Sequence, residues 1–493
     1  MLKSFIKDMA NYSPSQLLPA LTAFITTPIL TRLLPPAEYG NWALAASISA
    51  FLVALAVSGF GAAVIRFYPS YEAKSTLTTF FATISVSITA VIVIVAGISY
   101  PVLLFFEKKL PSSLRELLPL IILIFIVQGI YTGYLAILRA QKRIRAFTSF
   151  QLIISYGGLG TGLLFIMRFD MLAEGLLLGA FLIYLLALPF LIFLTTKDVG
   201  IHPRSFQTKD ALQIWQYAWP LVLGNVAMWG LRLSDLFIIG IFKTERDMGL
   251  YTVSYNISSK SIQLLVSLFL LSVSPMIMNT WESKGQAATE NALTIITRVY
   301  LILCLPAAVG LSVLAFPFVA ILTAPVYHEG HKIVGLVVFS SFFWGLANIA
   351  MMGVAIKKQV RRLATNQIIS ALIHIGLAVL LVPYFGYKAA ALTTLVGYIV
   401  LFVLHTLASQ PNLSWIFPFD TLGKTCLSSV VMGLAVFGVY GLAGNAGGGS
   451  PLFLFLSILV AIPVYFGCLW GLGEIKKEEK NLILNMLFKG RGS

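Results

Sequence analysis

Apolar runs long enough to cross a bilayer recur from one end of the chain to the other, separated by short polar turns. A spanning helix needs roughly 20 apolar residues to cover about 30 Å of hydrocarbon. The runs predict fourteen spans, approximately over 12–34, 41–65, 77–106, 117–138, 147–167, 172–195, 211–242, 249–278, 298–323, 333–356, 363–383, 388–408, 422–443 and 452–472. Each is expected to be a helix, because lipid offers no water to backbone groups and the alternation of a membrane barrel is absent. Three spans also carry polar residues at helical spacing. Asn256, Lys260, Gln263 and Ser267 fall at i, i+4, i+7 and i+11; Asn225, Arg232 and Asp235 at i, i+7 and i+10; Asn366, Ser370 and His374 at i, i+4 and i+8.

Composition agrees with a polytopic membrane protein. Of 493 residues, 58% are hydrophobic and 11% charged, with mean hydropathy +0.90. Average soluble domains have about 25% charged residues. The net charge of +15 therefore reads as topology rather than nucleic-acid binding. With a cytoplasmic N-terminus, 23 Lys and Arg fall on the cytoplasmic side, 9 on the other and two, Arg232 and Lys260, inside the membrane. This asymmetry predicts cytoplasmic termini in an inner, cytoplasmic membrane. The N-terminal run lacks a small-residue cleavage site and reads as an uncleaved first helix. The basic, amphipathic tail EIKKEEKNLILNMLFKGRGS is expected to lie on anionic membrane lipids. Cys304, Cys426 and Cys468 sit in apolar runs and form no disulfide or metal-ligand pattern.

Two pairs of segments repeat at a common offset. PPAEYGNWALAASISA resembles ERDMGLYTVSYNISSK, and RIRAFTSFQLIIS resembles QVRRLATNQIIS. Six-helix repeats explain this spacing, and because six is even the repeats share one orientation. The expected organisation is an N-terminal lobe over 1–196, a linker over 197–210, a C-terminal lobe over 211–408, and two further spans with a tail over 409–493.

The charged stretch AMWGLRLSDLFIIGIF (227–242) sets the chemistry. At about 1.5 Å per residue, Arg232, Lys260 and His374 all lie roughly 15–16 Å deep, near the midplane. A charge at that depth facing lipid costs about 2.5–3.5 kcal/mol, so these groups are expected to face a hydrated cavity between lobes. Asn225, Asn256 and Gln263 would line the same space. Two cations against one carboxylate leave a positive excess, suited to a phosphate or diphosphate. Asp235 either holds a coupling H+ or Na+, orients Arg232, or pairs with Lys260 across the hairpin. Arg32 and Arg66, near opposite faces, are candidates for a gate or headgroup path, or simply snorkel. Thr22, Thr26, Gln128, Tyr131 and Gln151 are polar but uncharged, consistent with core hydrogen bonds or sugar contacts. His405 carries no functional signal.

Enzyme signatures are missing. GGLGTG (157–162) lacks the Lys-Ser/Thr of a P-loop and sits inside a span, where close helix packing explains it; GNAGGGS (444–450) reads as a turn. No HExxH, GxSxG or ATP-binding motif occurs, and no cofactor is expected beyond a coupling ion.

ILTRLLPPAEYGNWALA and RLSDLFIIGIFKTERDMGLYTVSYNI, with fourteen spans, resemble the polysaccharide-transporter branch of the multidrug/oligosaccharidyl-lipid/polysaccharide flippase superfamily. The resemblance implies an all-α polytopic fold, with two six-helix lobes related by pseudo-two-fold symmetry plus two C-terminal helices. It also implies alternating-access transfer of a polyprenyl-diphosphate-linked oligosaccharide, such as an O-antigen unit for lipopolysaccharide, between leaflets. Arg232 and Lys260, with His374, fit the family's basic residues for the diphosphate. A polysaccharide polymerase or glycosyltransferase complex would be the expected partner. A lipid II flippase and a cation-coupled multidrug exporter of the same superfamily are the alternatives.

Overall fold

The computed structural model describes residues 24–105, 112–200, 202–357, 359–443 and 451–474. Most of the expected first span, Thr22, the turn at 444–450 and the basic tail lie outside these residues. Among the described residues every element is helical: α1 (24–33), α2 (Pro36–Ala73), α3 (Leu77–Phe105), α4 (Ser112–Ala140), α5 (Ile144–Phe169), α6 (Ala173–Thr196), α7 (Thr208–Phe242), α8 (Glu245–Val313), α9 (Ala315–Leu322), α10 (Val334–Ala350), α11 (Val360–Phe385), α12 (Tyr387–Ser409), α13 (Phe419–Ala443) and α14 (Pro451–Gly471). Among the described residues twelve helical stretches are long and apolar enough to cross a membrane. The chain is a multi-pass membrane protein.

α8 accounts for one difference from the predicted span count. Its 69 residues far exceed one bilayer crossing, and Gly285 interrupts it at φ 75°, ψ −166°. The left-handed φ suits glycine. The two limbs of α8 thus correspond to the eighth and ninth predicted spans. A π-bulge over Ile153–Gly157 inside α5 is a second irregularity.

Two helix starts matter for the site. α2 begins with Pro at its first position, where a missing N–H is harmless. α8 begins with a capping box: Thr244 Oγ1 accepts from the Asp247 amide at 3.2 Å, and Asp247 Oδ2 accepts from the Thr244 amide at 3.2 Å. This box lets α7 turn into α8 through only two residues.

α2 to α6 pack round a core including Phe80, Phe81, Ile88 and Phe125. A second core, including Ile257, Phe269, Tyr300 and Phe342, is built from α8, α10 and their neighbours. α13 and α14 are fastened to α8 by Glu474, whose Oε1 accepts from Arg298 Nε and Thr421 Oγ1, each at 2.7 Å.

The lobes meet along α2. Near its middle Phe51 meets Trp229 at 4.4 Å, and towards its end Phe67 meets Tyr217 at 5.6 Å and Arg66 lies 5.0 Å over the Tyr217 ring. α2 and α7 therefore run antiparallel in close contact. Where α2 and α8 begin, Gly40 and Gly249 cross. A methyl on Gly40 would stand 2.4 Å from the Glu245 carbonyl oxygen, and one on Gly249 would stand 1.9 Å from the Pro36 carbonyl oxygen. Each glycine faces the carbonyl four residues before the other, the reciprocity expected of a two-fold related pair. Tyr327 closes the same end, donating to the Leu34 carbonyl at 2.9 Å.

Candidate functional site

α2, α7 and the first limb of α8 enclose a half-open cavity of about 190 Å³. α2 supplies Trp42, Ala43, Ala46, Ser47 and Ala50; α7 supplies Arg232, Leu233 and Leu236; α8 supplies Tyr251, Thr252, Tyr255 and Asn256. Trp42, Ala46 and Ala50 recur every four residues and are half-buried, while the intervening residues are buried in the lobe. That periodicity turns one face of α2 to the cavity.

Arg232 is exposed, and its guanidinium lies 5.4 Å over the Trp344 ring on α10. Lys260, one turn beyond Asn256, is exposed too. Neither forms an ion pair with an acidic residue among the described residues. Asn225 is exposed; Asn256 and Gln263 are half-buried. Asn256 also reaches the Tyr39 hydroxyl.

Asp235 has different company from that expected. It is 0% exposed and turned into the C-terminal half of the molecule. Its Oδ2 accepts from the Tyr251 hydroxyl at 2.5 Å and from Thr394 Oγ1, and its Oδ1 lies 3.4 Å from His374 Nε2. Ser234 Oγ approaches the same His374 nitrogen at 3.1 Å. Asp235 is thus not the ion-pair partner of Arg232 or Lys260: its carboxylate is taken up by Tyr251, Thr394 and His374, while Arg232 lines the cavity.

His374 is likewise displaced from its expected place beside the two cations. It is fully buried, with its Cβ against the gap left by Gly397. Its stripe-mates explain why. Ser370 Oγ donates to the Gly397 carbonyl at 2.5 Å, and Asn366 Nδ2 to the Leu404 carbonyl at 3.1 Å. The polar face of α11 is satisfied by the backbone of α12, not by a chamber. Helical spacing gave the face but not its neighbour.

The remaining candidates are scattered. Arg32 donates to the Pro28 carbonyl at 2.8 Å within its own helix. Arg66 sits at the α2–α7 seam described above. Gln128 accepts from Ser49 at 2.9 Å and Tyr131 donates to the Phe150 carbonyl at 3.0 Å, both interior bonds of the first lobe. Thr26 and Gln151 are half-buried. Trp42, Tyr255 and Thr394 were missed in the sequence. Tyr251 and Tyr255 flank Thr252 and precede Asn256 on one helical stripe, a signal that could have marked the aromatic wall.

Two helical lobes that meet along α2 and α7 around this cavity define the architecture of a membrane transporter. A family model described as a polysaccharide biosynthesis protein matches residues 29–332. The chain belongs to that family, in the polysaccharide branch of the multidrug/oligosaccharidyl-lipid/polysaccharide superfamily. It is 23% identical over 273 residues to the probable low-salt glycan biosynthesis flippase Agl15 of Haloferax volcanii, a match spanning 55% of this chain and 56% of that protein. The fold is similar to the lipid II flippase MurJ in its inward closed conformation, with TM-score 0.74 and 16% identity over 93% of this chain and 98% of that one. It is also similar to an inward-facing multidrug resistance MATE family transporter, with TM-score 0.61 and 14% identity over 82% and 98% of the two chains.

Proposed function

We propose that the chain is a flippase for a polyprenyl-diphosphate-linked oligosaccharide, moved between leaflets by alternating access, with both termini cytoplasmic. The observation that carries this reading is the pair of exposed cations, Arg232 on α7 and Lys260 on the first limb of α8, neither ion-paired with an acidic residue among the described residues. Such a pair favours a ligand that brings more than one negative charge, and a diphosphate does. Family membership and the name of the Haloferax relative support a glycan as the rest of the cargo. The lipid tail stays in the bilayer, because the cavity is small and polar at one wall. Asp235 and His374, buried behind that wall, form the coupling point for H+ or Na+ in this scheme.

Arg232→Ala and Lys260→Ala are expected to insert normally yet flip poorly. A hydrogen bond to a charged group contributes about 1.5–3 kcal/mol, so each loss should slow transport by roughly 10- to 150-fold. The assay is transfer of a fluorescent polyprenyl-diphosphate glycan across vesicles containing purified protein. Wild-type rates in both variants would eliminate the diphosphate site. Rescue of peptidoglycan-precursor flipping in cells, without rescue of surface glycan display, would shift the substrate to lipid II.

A further inference from the structure

We infer that the cavity beside Arg232 is a stacking subsite for the sugar ring attached directly to the diphosphate, gripped between Trp42 on α2 and Tyr255 on α8. This rests on the reading of Arg232 and Lys260 as the diphosphate site.

A pyranose presents a patch of C–H groups on its ring face and hydroxyls round its rim. An aromatic face suits the former, and scattered small polar groups suit the latter. The cavity supplies both. Trp42 is fixed from behind by Tyr39, whose ring meets it edge-on at 5.2 Å and 83°. Tyr39 is itself 1% exposed and packs on Tyr327. Across the cavity Tyr255 stacks on Tyr251 at 5.5 Å and 28°, and Tyr251 is anchored by its bond to Asp235. Two rings held by other rings make a rigid clamp with little side-chain entropy to lose on binding.

The space between them is kept open by size. Ala43, Ala46 and Ala50 form the α2 wall, so no side chain from that helix fills the gap. Ser47, Thr252 and Asn256 offer polar atoms round the rim, and Arg232 stands at one side where a phosphate joined to the ring would lie. An acyl or isoprenoid chain would offer nothing to Arg232, Ser47 and Asn256, and a bare diphosphate would leave the rings unused. A volume of about 190 Å³ holds one ring rather than a whole repeat unit. The phosphate-proximal sugar is therefore the part of the glycan that this pocket reads. The clamp also spans both lobes, since Trp42 belongs to the first and Tyr255 to the second. Occupying it draws the lobes together on correct cargo.

The test uses full-length protein in nanodiscs and two short-chain polyprenyl diphosphates, one bare and one carrying a single N-acetylhexosamine. Wild type is expected to bind the sugar-bearing lipid about tenfold more tightly, the size of one good aromatic contact. Trp42→Ala should remove that preference while leaving affinity for the bare lipid within twofold, and Trp42→Phe should retain most of it. Ala46→Leu, which narrows the pocket and leaves both rings in the chain, should weaken only the sugar-bearing lipid and guards against misfolding of the tryptophan variant. Equal binding of both lipids by wild type, with Arg232→Ala weakening both, would overturn the sugar subsite and leave the diphosphate site standing. Binding of both lipids unaffected by Arg232→Ala and Lys260→Ala would bring down both.

Discussion

Replacing Gly249 with alanine is expected to hold the lobes apart where α2 and α8 begin, and to slow flipping by roughly 10- to 100-fold. The added methyl would lie 1.9 Å from the Pro36 carbonyl oxygen and 2.6 Å from its carbon. Both are backbone atoms, so no rotamer change relieves the overlap. Gly40→Ala meets the same obstacle from the other side, at 2.4 Å from the Glu245 carbonyl oxygen and 2.9 Å from the Gly249 nitrogen. Small residues let membrane helices approach to backbone contact, and this crossing depends on two of them. Overpacking typically costs about 1–3 kcal/mol, and a bias of about 1.4 kcal/mol shifts a two-state population tenfold. If closure of this end belongs to the transport cycle, the cost falls on the closed state alone. The carrier should then dwell open toward the side that the charge distribution assigns to the exterior. Thr31→Cys provides the readout, because Thr31 is 2% exposed and its hydroxyl oxygen accepts from the Ala324 amide across the seam at 3.4 Å. In a background without the native cysteines, an impermeant maleimide should label that position at least tenfold faster once Gly249→Ala is added. Unchanged labelling with normal flipping would show that this contact is not a moving gate.

The repeat in the sequence had already aligned these two glycines, though nothing in it placed them face to face. The helical architecture and the positions of the helices were legible, because they follow from hydropathy and rise per residue. Azimuth was not. Asp235 lies three residues from Arg232, which suggested an ion pair, yet the first points into the lobe and the second to the cavity. His374 packs its Cβ into the room that Gly397 leaves on α12 and meets Ser234 and Asp235 through its ring, so it is buried rather than set beside the two cations. Depth is a one-dimensional property of a helix; partnership depends on which neighbour packs where. The contact of Thr394 with Asp235 joins residues far apart in the chain, and that of Tyr251 crosses from one helix to the next; no spacing within one helix encodes either. Trp42 was hidden for a different reason. A tryptophan in a membrane helix is unremarkable until the alanines that follow it at four-residue spacing are seen to leave its ring facing a gap.

Asp235→Asn should uncouple transport from an ion gradient while permitting downhill flipping. The substitution keeps an oxygen for Tyr251 and Thr394, so the shape of the cluster survives. It removes the charge that faces His374 at 3.4 Å. Ionisable residues buried at membrane depth are costly, and they recur where protons or ions are handled. Here both members of the pair are fully buried, and one atom of each, Asp235 Oδ1 and His374 Nδ1, has no hydrogen-bond partner among the described residues. A cluster serving only to join helices gains by satisfying every polar atom; one that exchanges a proton or cation keeps a vacant acceptor. The two roles separate experimentally. A purely adhesive pair predicts a loss of stability of about 1–3 kcal/mol on thermal unfolding, as two charge-assisted bonds become neutral ones, with gradient response intact. A coupling pair predicts that an imposed H+ or Na+ gradient no longer accelerates flipping in reconstituted vesicles, even where the folded fraction is normal. His374→Asn should give the same phenotype, and combining the two should add little, because residues acting as a unit are strongly non-additive. Retention of the full gradient response in Asp235→Asn would rule this site out as the coupling point and leave it as a helix clamp.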